Sequence, residues 1–291
     1  MKIIASVVLY NPKNDVLDNI KTYADFVDGL IVVDNSECQN LVLLSKLREC
    51  YQNNLFYVNN GNNLGIASAL NIACDKAISL GFDWILTMDQ DSAFINFEHY
   101  KRCLQSVGNN QGIALVSGNP MRNVFGKHYK SNSIDYEEKS IVITSSNLIN
   151  LKYFNQIGRF DDSLFIDMVD YDLCARIKIQ NLKILYFKDV LVEHALGHKF
   201  LRVNLLSRKK KYKIEHNAQR VYYITRNSLF VSKKYRKVLP QEFGLLKTLN
   251  ILFIHDVVKI LLYEDKKIDK LYAKCLGLYH FVIGRYGKYD I

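Results

Sequence analysis

Proline is scarce in this chain: three residues in 291, alongside 14 glycines. Such a composition excludes a collagen-like or proline-rich chain and argues against long disordered tracts. Cysteine occurs six times, as Cys38, Cys50, Cys74, Cys103, Cys174 and Cys275. No two lie closer than 12 positions, so there is no CxxC or zinc-ribbon spacing. Scattered thiols of this kind read as reduced and mostly buried, which points to a cytoplasmic setting. The apolar opening, MKIIASVVLYNP, is stopped by Asn11-Pro12, too early for a secretory leader. Uncharged apolar runs long enough to span a bilayer are also lacking. The nearest, Leu245 to Tyr263, is broken by Lys247, His255, Asp256 and Lys259. The glycine fingerprints GxGxxG and GxxxxGKS/T are missing, which argues against a Rossmann dehydrogenase and a P-loop enzyme.

What remains is a globular composition, 49% hydrophobic and 23% charged, in a chain long enough to bury a core without disulfides. The net charge of +10 is unevenly spread. Lys199 to Lys237 holds 13 lysines and arginines against one acid, Glu215, so everything else sums to −2. A near-neutral body with one intensely basic segment suits an anionic partner.

The first 90 residues alternate between two periodicities. Ile3–Leu9, Leu30–Val33, Leu55–Val58 and Trp84–Met88 are short apolar runs, as strands buried on both faces would be. Between them, Asp15–Val27, Leu41–Tyr51 and Ile66–Leu80 carry apolar residues at helical spacing, the last closed by Gly81. The order β-α-β-α-β-α-β predicts an α/β fold: a mostly parallel sheet with helices on both faces and ligands at the strands' carboxyl ends. Those ends are polar: Tyr10-Asn11, Asp34-Asn35, Asn59 to Asn63, and Asp89-Gln90-Asp91. Turns alone account for most such residues. Two carboxylates two positions apart at the end of a buried apolar strand are costly without a cation, so Asp89 and Asp91 read as a metal site.

Further on, Ile141–Leu151 reads as a strand or bend with a small polar centre, Thr144-Ser145-Ser146. Asp167, Asp170 and Asp172 fall where a helix should start and run to about Asn181. Capping, the helix dipole and an Asp172–Arg176 pair explain part of this cluster. A carboxylate beside Phe165, Ile166, Met168 and Val169 would have its pKa raised and could serve as a general base. The runs Ile184–Phe187 and Val190–Val192 precede His194, a residue that alone is more often structural than a ligand.

Taken in order, these segments resemble a known family. SVVLYNP, VVDNS at Val32–Ser36, NNLGIASALN at Asn62–Asn71, LTMDQDS at Leu86–Ser92, IGRFDDSLFIDMVDYDLCAR at Ile157–Arg176, Val192-Glu193-His194 and RVYYITRN at Arg220–Asn227 are similar to the motifs of inverting family-two glycosyltransferases with the GT-A fold. The likeness is greatest to bacterial rhamnosyltransferases and covers about residues 3 to 230. It implies a catalytic domain over 1–200 and a basic, mostly helical region over 201–291. It also implies Tyr10, Asp34, Asn63, Gly65, Asp89 and Arg226 at the nucleotide-sugar, Asp91 and His194 on Mg²⁺ or Mn²⁺, and Asp170 as the base, with Asp167 and Asp172 close enough to share that role. Two departures stand out: Ser146 where the family often has glycine, and Val169 in place of the glutamate of its Glu-Asp pair.

The function implied is transfer of L-rhamnose from dTDP-rhamnose to a saccharide acceptor, polyprenyl-diphosphate-linked, in O-antigen or capsule-like assembly. The alternative donor is a UDP-hexose or UDP-N-acetylhexosamine. A nucleotidyltransferase would need a basic triphosphate cradle, which Tyr10-Asn11-Pro12 does not offer. Nucleic acid is not an expected partner, although Arg208 to Lys211 would suit it, because crevice acids repel phosphates unless metal is present. The apolar stripe of Leu245–Tyr263 (Leu245, Leu246, Leu249, Leu252, Phe253, Val257, Ile260 and Leu261) leaves two readings open. It packs on the catalytic domain, or it joins the basic segment in peripheral docking on the cytoplasmic face of the inner membrane.

Overall fold

A computed structural model describes residues 1–13, 15–107, 111–121, 133–194, 198–203 and 210–290. Arg208 and Lys209 of the basic run lie outside the described residues. The chain divides into two compact units. The first comprises Met1–Asp162 and Val169–Ala195, the second Ser163–Met168 and Leu196–Ile291.

Among the described residues, the first unit is built on a nine-stranded mixed sheet. Strands β1 (Ile3–Leu9), β2 (Leu30–Asp34), β3 (Leu55–Asn59) and β4 (Trp84–Asp89) pair in parallel in the order β3-β2-β1-β4. Helices α1 (Val16–Ala24), α2 (Leu41–Tyr51) and α3 (Ile66–Ser79) connect them. β1 and β2 are almost wholly buried, which is why their sequences are continuous apolar runs and do not alternate. The Asn40 side chain caps α2 by accepting from the Leu43 N–H at 3.0 Å.

Beyond β4 the sheet ceases to be purely parallel. β5 (Ser92–Phe94), α4 (Phe97–Val107), β6 (Ile113–Met121), β7 (Tyr136–Glu138), β8 (Asn147–Asn150), α5 (Leu151–Ile157), α6 (Val169–Ile179) and β9 (Lys183–His194) follow. β8 runs antiparallel to β4 and β6, while β6 and β9 are parallel. Only residues 147–150 of the expected 141–151 element pair as a strand. Thr144 to Ser146 turn instead, with Ser146 at φ +73°. The two runs expected before His194 are one strand, and α6 starts at Val169, two residues after Asp167. All six cysteines are free thiols. Cys38, Cys50 and Cys275 are exposed, so the expectation of mostly buried thiols holds for only half of them.

In the second unit, β10 (His198–Val203) and β11 (Lys210–Glu215) form an antiparallel pair. Helix α7 (Ala218–Tyr235) follows, capped by the Asn217 side chain. Then come α8 (Pro240–Phe243), α9 (Leu245–Asn250), a π-helical turn at Ile251–His255, α10 (Asp256–Tyr263) and α11 (Lys267–Ile283). Gly277 brings α11 against α7: a Cβ there would lie 2.8 Å from the Tyr222 carbonyl oxygen and 3.1 Å from Thr225 Cβ. The stripe expected along 245–263 does not face one way. Leu252 and Ile260 are buried, whereas Leu246 and Leu261 are exposed. The π turn shifts the helical phase, and apolar residues surround these helices on nearly every side. No helix among the described residues is long and apolar enough to cross a membrane.

Candidate active site

The carboxyl ends of β1 to β4 lie side by side because the strands pair in register, Leu9 with Asp34, Asp34 with Asn59 and Val8 with Asp89. Asp34 is fully buried. Its carboxylate accepts from the Tyr57 hydroxyl at 2.6 Å and from the Ser36 N–H at 2.9 Å. Burial, and then the neighbouring carboxylate, push the Tyr57 phenol well above its ordinary value, so it stays a donor to Asp34 at neutral pH. The Asn35 amide donates to the Gly65 carbonyl at 3.0 Å and accepts from Asn60 at 2.6 Å. Asn63 accepts from the Gly65 N–H at 3.0 Å. Gly65 sits at φ +87°, a conformation costly for other residues, and opens α3 from there. Gln90 joins β4 to β1, accepting from the Tyr10 N–H at 3.0 Å and donating to the Tyr10 carbonyl at 3.1 Å. The Tyr10 side chain is exposed.

Asp89, Asp91 and His194 each place one ligand atom within 4.8 Å of the others. His194 Nδ1 is 3.4 Å from Asp91 Oδ1 and 3.9 Å from Asp89 Oδ2. This meeting follows from one short strand. After Asp91 the chain enters β5, whose Ser92 pairs with His194 on β9, with Ser92 Oγ 2.5 Å from Nδ1. Two carboxylate oxygens and one imidazole nitrogen fit a hard to borderline divalent cation such as Mg²⁺ or Mn²⁺.

The turn at Thr144–Ser146 links this cluster to α6. Thr87 Oγ1 donates to the Thr144 carbonyl at 2.8 Å, and the Thr144 N–H donates to Asp170 Oδ2 at 3.2 Å. Ser146 occupies a left-handed conformation that glycine would adopt more cheaply, yet its hydroxyl accepts from the Gly118 N–H at 3.2 Å. The three candidate acids have different settings. Asp172 is fully buried and paired with Arg176 at 2.8 Å. Asp167 is paired with Arg220 at 2.9 Å in the second unit. Asp170, partly exposed in the first turn of α6, accepts from the backbone of Thr144 and Tyr171.

Arg226, which the motif likeness assigns to the nucleotide, is fully buried in the second unit. Its guanidinium donates to the carbonyls of Gly287, Ser163 and Leu164, and stacks near Tyr222 and Tyr223. The neighbouring Asn227 amide donates to the carbonyls of Leu164, Ile166 and Asp167 at 2.8, 2.7 and 3.1 Å. Together these two side chains hold the Ser163–Met168 segment, in which Phe165, Asp167 and Met168 all have positive φ.

Sequence reasoning did not single out Tyr57, Gln90 or Ser92, and it named Thr144 only as part of a small polar centre. Gln90 sits inside the Asp-x-Asp motif, but its role depends on β1 lying beside β4. Ser92 and Tyr57 matter only through strand register, which no local pattern announces.

The fold and this site define a glycosyltransferase of the GT-A type. The chain belongs to glycosyltransferase family 2, whose sequence model, described as Glycosyl transferase family 2, matches residues 7–166. It is 27% identical over 252 residues to dTDP-rhamnosyl transferase RfbF of Shigella flexneri, covering 80% of each chain. Among solved structures, it is similar to the mannosyltransferase PcManGT of Pyrobaculum calidifontis in complex with GDP-Man and Mn²⁺, with a TM-score of 0.59 and 13% identity over 97% of this chain and 79% of that one. It is also similar to S. aureus TarS in complex with UDP-GlcNAc, with a TM-score of 0.51 and 14% identity over 100% of this chain and 94% of that one.

Proposed function

We propose that this enzyme is a metal-dependent, inverting rhamnosyltransferase. It moves L-rhamnose from dTDP-rhamnose onto a saccharide acceptor carried on a polyprenyl diphosphate, in the assembly of a surface polysaccharide. The observation that carries the metal-dependent reading is the convergence of Asp89, Asp91 and His194 at the end of β4. The likeness to dTDP-rhamnosyl transferase RfbF supports the donor.

In this reading Tyr10, Asp34, Asn63 and Gly65 hold the nucleoside, with Tyr57 fixing the Asp34 carboxylate. Asp91 and His194 would hold Mg²⁺ or Mn²⁺, and Asp89 would face the ribose or a water on that cation. When bound, the cation would offset the negative charge that develops on the departing diphosphate. Asp170 takes the proton from the acceptor hydroxyl as that oxygen attacks the anomeric carbon. A single displacement inverts the centre without an enzyme nucleophile. Arg226 enters through the backbone segment it holds.

Hydrolysis of dTDP-rhamnose, UDP-glucose and UDP-GlcNAc by purified protein, with Mn²⁺ and with EDTA, tests the reading. Turnover of dTDP-rhamnose above the UDP donors, lost in EDTA, is expected. Preferential turnover of UDP-GlcNAc would reassign the donor to the UDP-N-acetylhexosamine alternative.

A further inference from the structure

Helix α11 is amphipathic the wrong way round. Its buried face carries Lys270, Lys274 and His280, each no more than 3% exposed. These groups are satisfied inside the second unit. Lys270 pairs with Glu215 and, at 2.9 Å, with Glu264; Lys274 pairs with Asp256 at 3.1 Å; His280 bonds to the Tyr222 hydroxyl at 2.8 Å. The face turned to solvent carries large apolar side chains at helical spacing: Ile268, Tyr272, Tyr279 and Val282, with Ile268 83% and Val282 71% exposed. A water-facing surface helix distributes these groups the other way. Preceding it, the 245–263 helices expose Leu246, Ile254 and Val258. Among the described residues, 12 of the 25 exposed large hydrophobics come from residues 246–283. Concentration of this kind marks a contact surface.

Charge identifies what covers it. Residues 196–291 contain 21 lysines and arginines against seven acids, a net +14, whereas residues 1–195 sum to −4. Residues 245–283 themselves hold six lysines against four acids, so most of this charge comes from residues 199–237 of the same unit; it would attract an anionic surface and repel a second copy. Lys247 and Lys267 are exposed on the same helices and Lys266 at the N-cap of α11, beside the exposed acids Asp265 and Asp269. Tyr272 and Tyr279 are exposed too, and amphipathic rings of this kind settle at the headgroup level of a bilayer. We propose that the outward apolar faces of α11 and of the 245–263 helices dock this enzyme on an anionic lipid bilayer, lying in its interface without crossing it. The purpose of such docking rests on the lipid-linked acceptor proposed above.

The test is co-sedimentation of the full chain with vesicles of phosphatidylcholine alone and of phosphatidylcholine with phosphatidylglycerol, at low and high salt. Wild type should bind the anionic vesicles. The triple variant Ile268→Ser, Tyr272→Ser, Val282→Ser should bind at least ~10-fold more weakly at both salt concentrations, because apolar burial is lost. All three side chains are exposed, so its thermal midpoint and its donor hydrolysis in solution should match wild type. Wild type that ignores the anionic vesicles, or a triple variant that binds like wild type, would overturn the proposal. So would a wild-type dimer in light scattering that the triple variant turns into a monomer. Donor hydrolysis without vesicles reports on the proposed reaction alone, so the two readings can fail separately.

Discussion

His194 faces Ser92 across the β5–β9 pair, its Nδ1 2.5 Å from the serine Oγ. That pairing brings a histidine 102 positions away beside the two carboxylates at the end of β4. Ser92 is fully buried and His194 nearly so, which limits the freedom of the ring. Asp91→Ala and His194→Ala should therefore each lose the Mn²⁺-dependent part of dTDP binding while keeping the fold. Calorimetry with and without EDTA measures this. Nucleotide affinity indifferent to EDTA in wild type would count against the metal site.

Asp170→Asn keeps the shape of the side chain and removes its basicity. Transfer should fall by about 10²–10⁴-fold. Nucleotide affinity, read by calorimetry, should stay within twofold or so of wild type. Asp167→Asn is the comparison: its carboxylate is paired with Arg220, so its effect should appear in thermal stability before turnover. A dead Asp167→Asn beside an active Asp170→Asn would reverse the assignment.

The Asn227 amide serves three carbonyls of a segment with three left-handed residues. Asn227→Ala removes the donors to the half-buried Ile166 and Asp167 carbonyls and leaves Leu164 to Arg226 alone, at a cost of roughly 1–3 kcal/mol. Asn227→Asp should be no better, since a carboxylate offers no N–H. Urea denaturation followed by circular dichroism gives the comparison, and two variants as stable as wild type would show that water replaces the amide.

At Gly277 the close approach of α11 to α7 leaves no room for a methyl group. The atoms met include backbone, which cannot rotate away. Gly277→Ala should lose about 1–3 kcal/mol through overpacking, visible as a lower thermal midpoint. An unchanged midpoint would mean that the two helices separate without penalty.

His99 and His280 are buried, and desolvation is the main cause holding both imidazoles below their ordinary value. In the unfolded chain each takes up its proton near pH ~6.5. The unfolded state therefore binds more protons just below that pH, and stability should fall as the solution is acidified through it. Thermal scans from neutral pH downward should show the midpoint dropping, less steeply in His280→Gln. A midpoint flat across this window would mean that both rings take up protons as readily in the fold as in the unfolded chain.

The first half of the sheet is legible in the residue pattern alone, because β1 to β4 are short apolar runs separated by helical periods. The sequence also marks Asp89 and Asp91, since acids at the end of a buried strand are costly without a purpose, whereas Asp170 and His194 are singled out by the likeness to family-two motifs. What it could not decide was partnership across long separations. That β5 pairs with β9, that Thr144 touches Asp170, and that Arg226 and Asn227 hold the carbonyls of Ser163 to Asp167 are outcomes of strand register and helix packing. The direction of α11 was equally hidden: its pattern of lysines and apolar residues is read correctly only when Glu215, Glu264 and Asp256 are known to wait on the inner side. Periodicity defines a face, but which face is buried depends on what the rest of the chain brings to meet it.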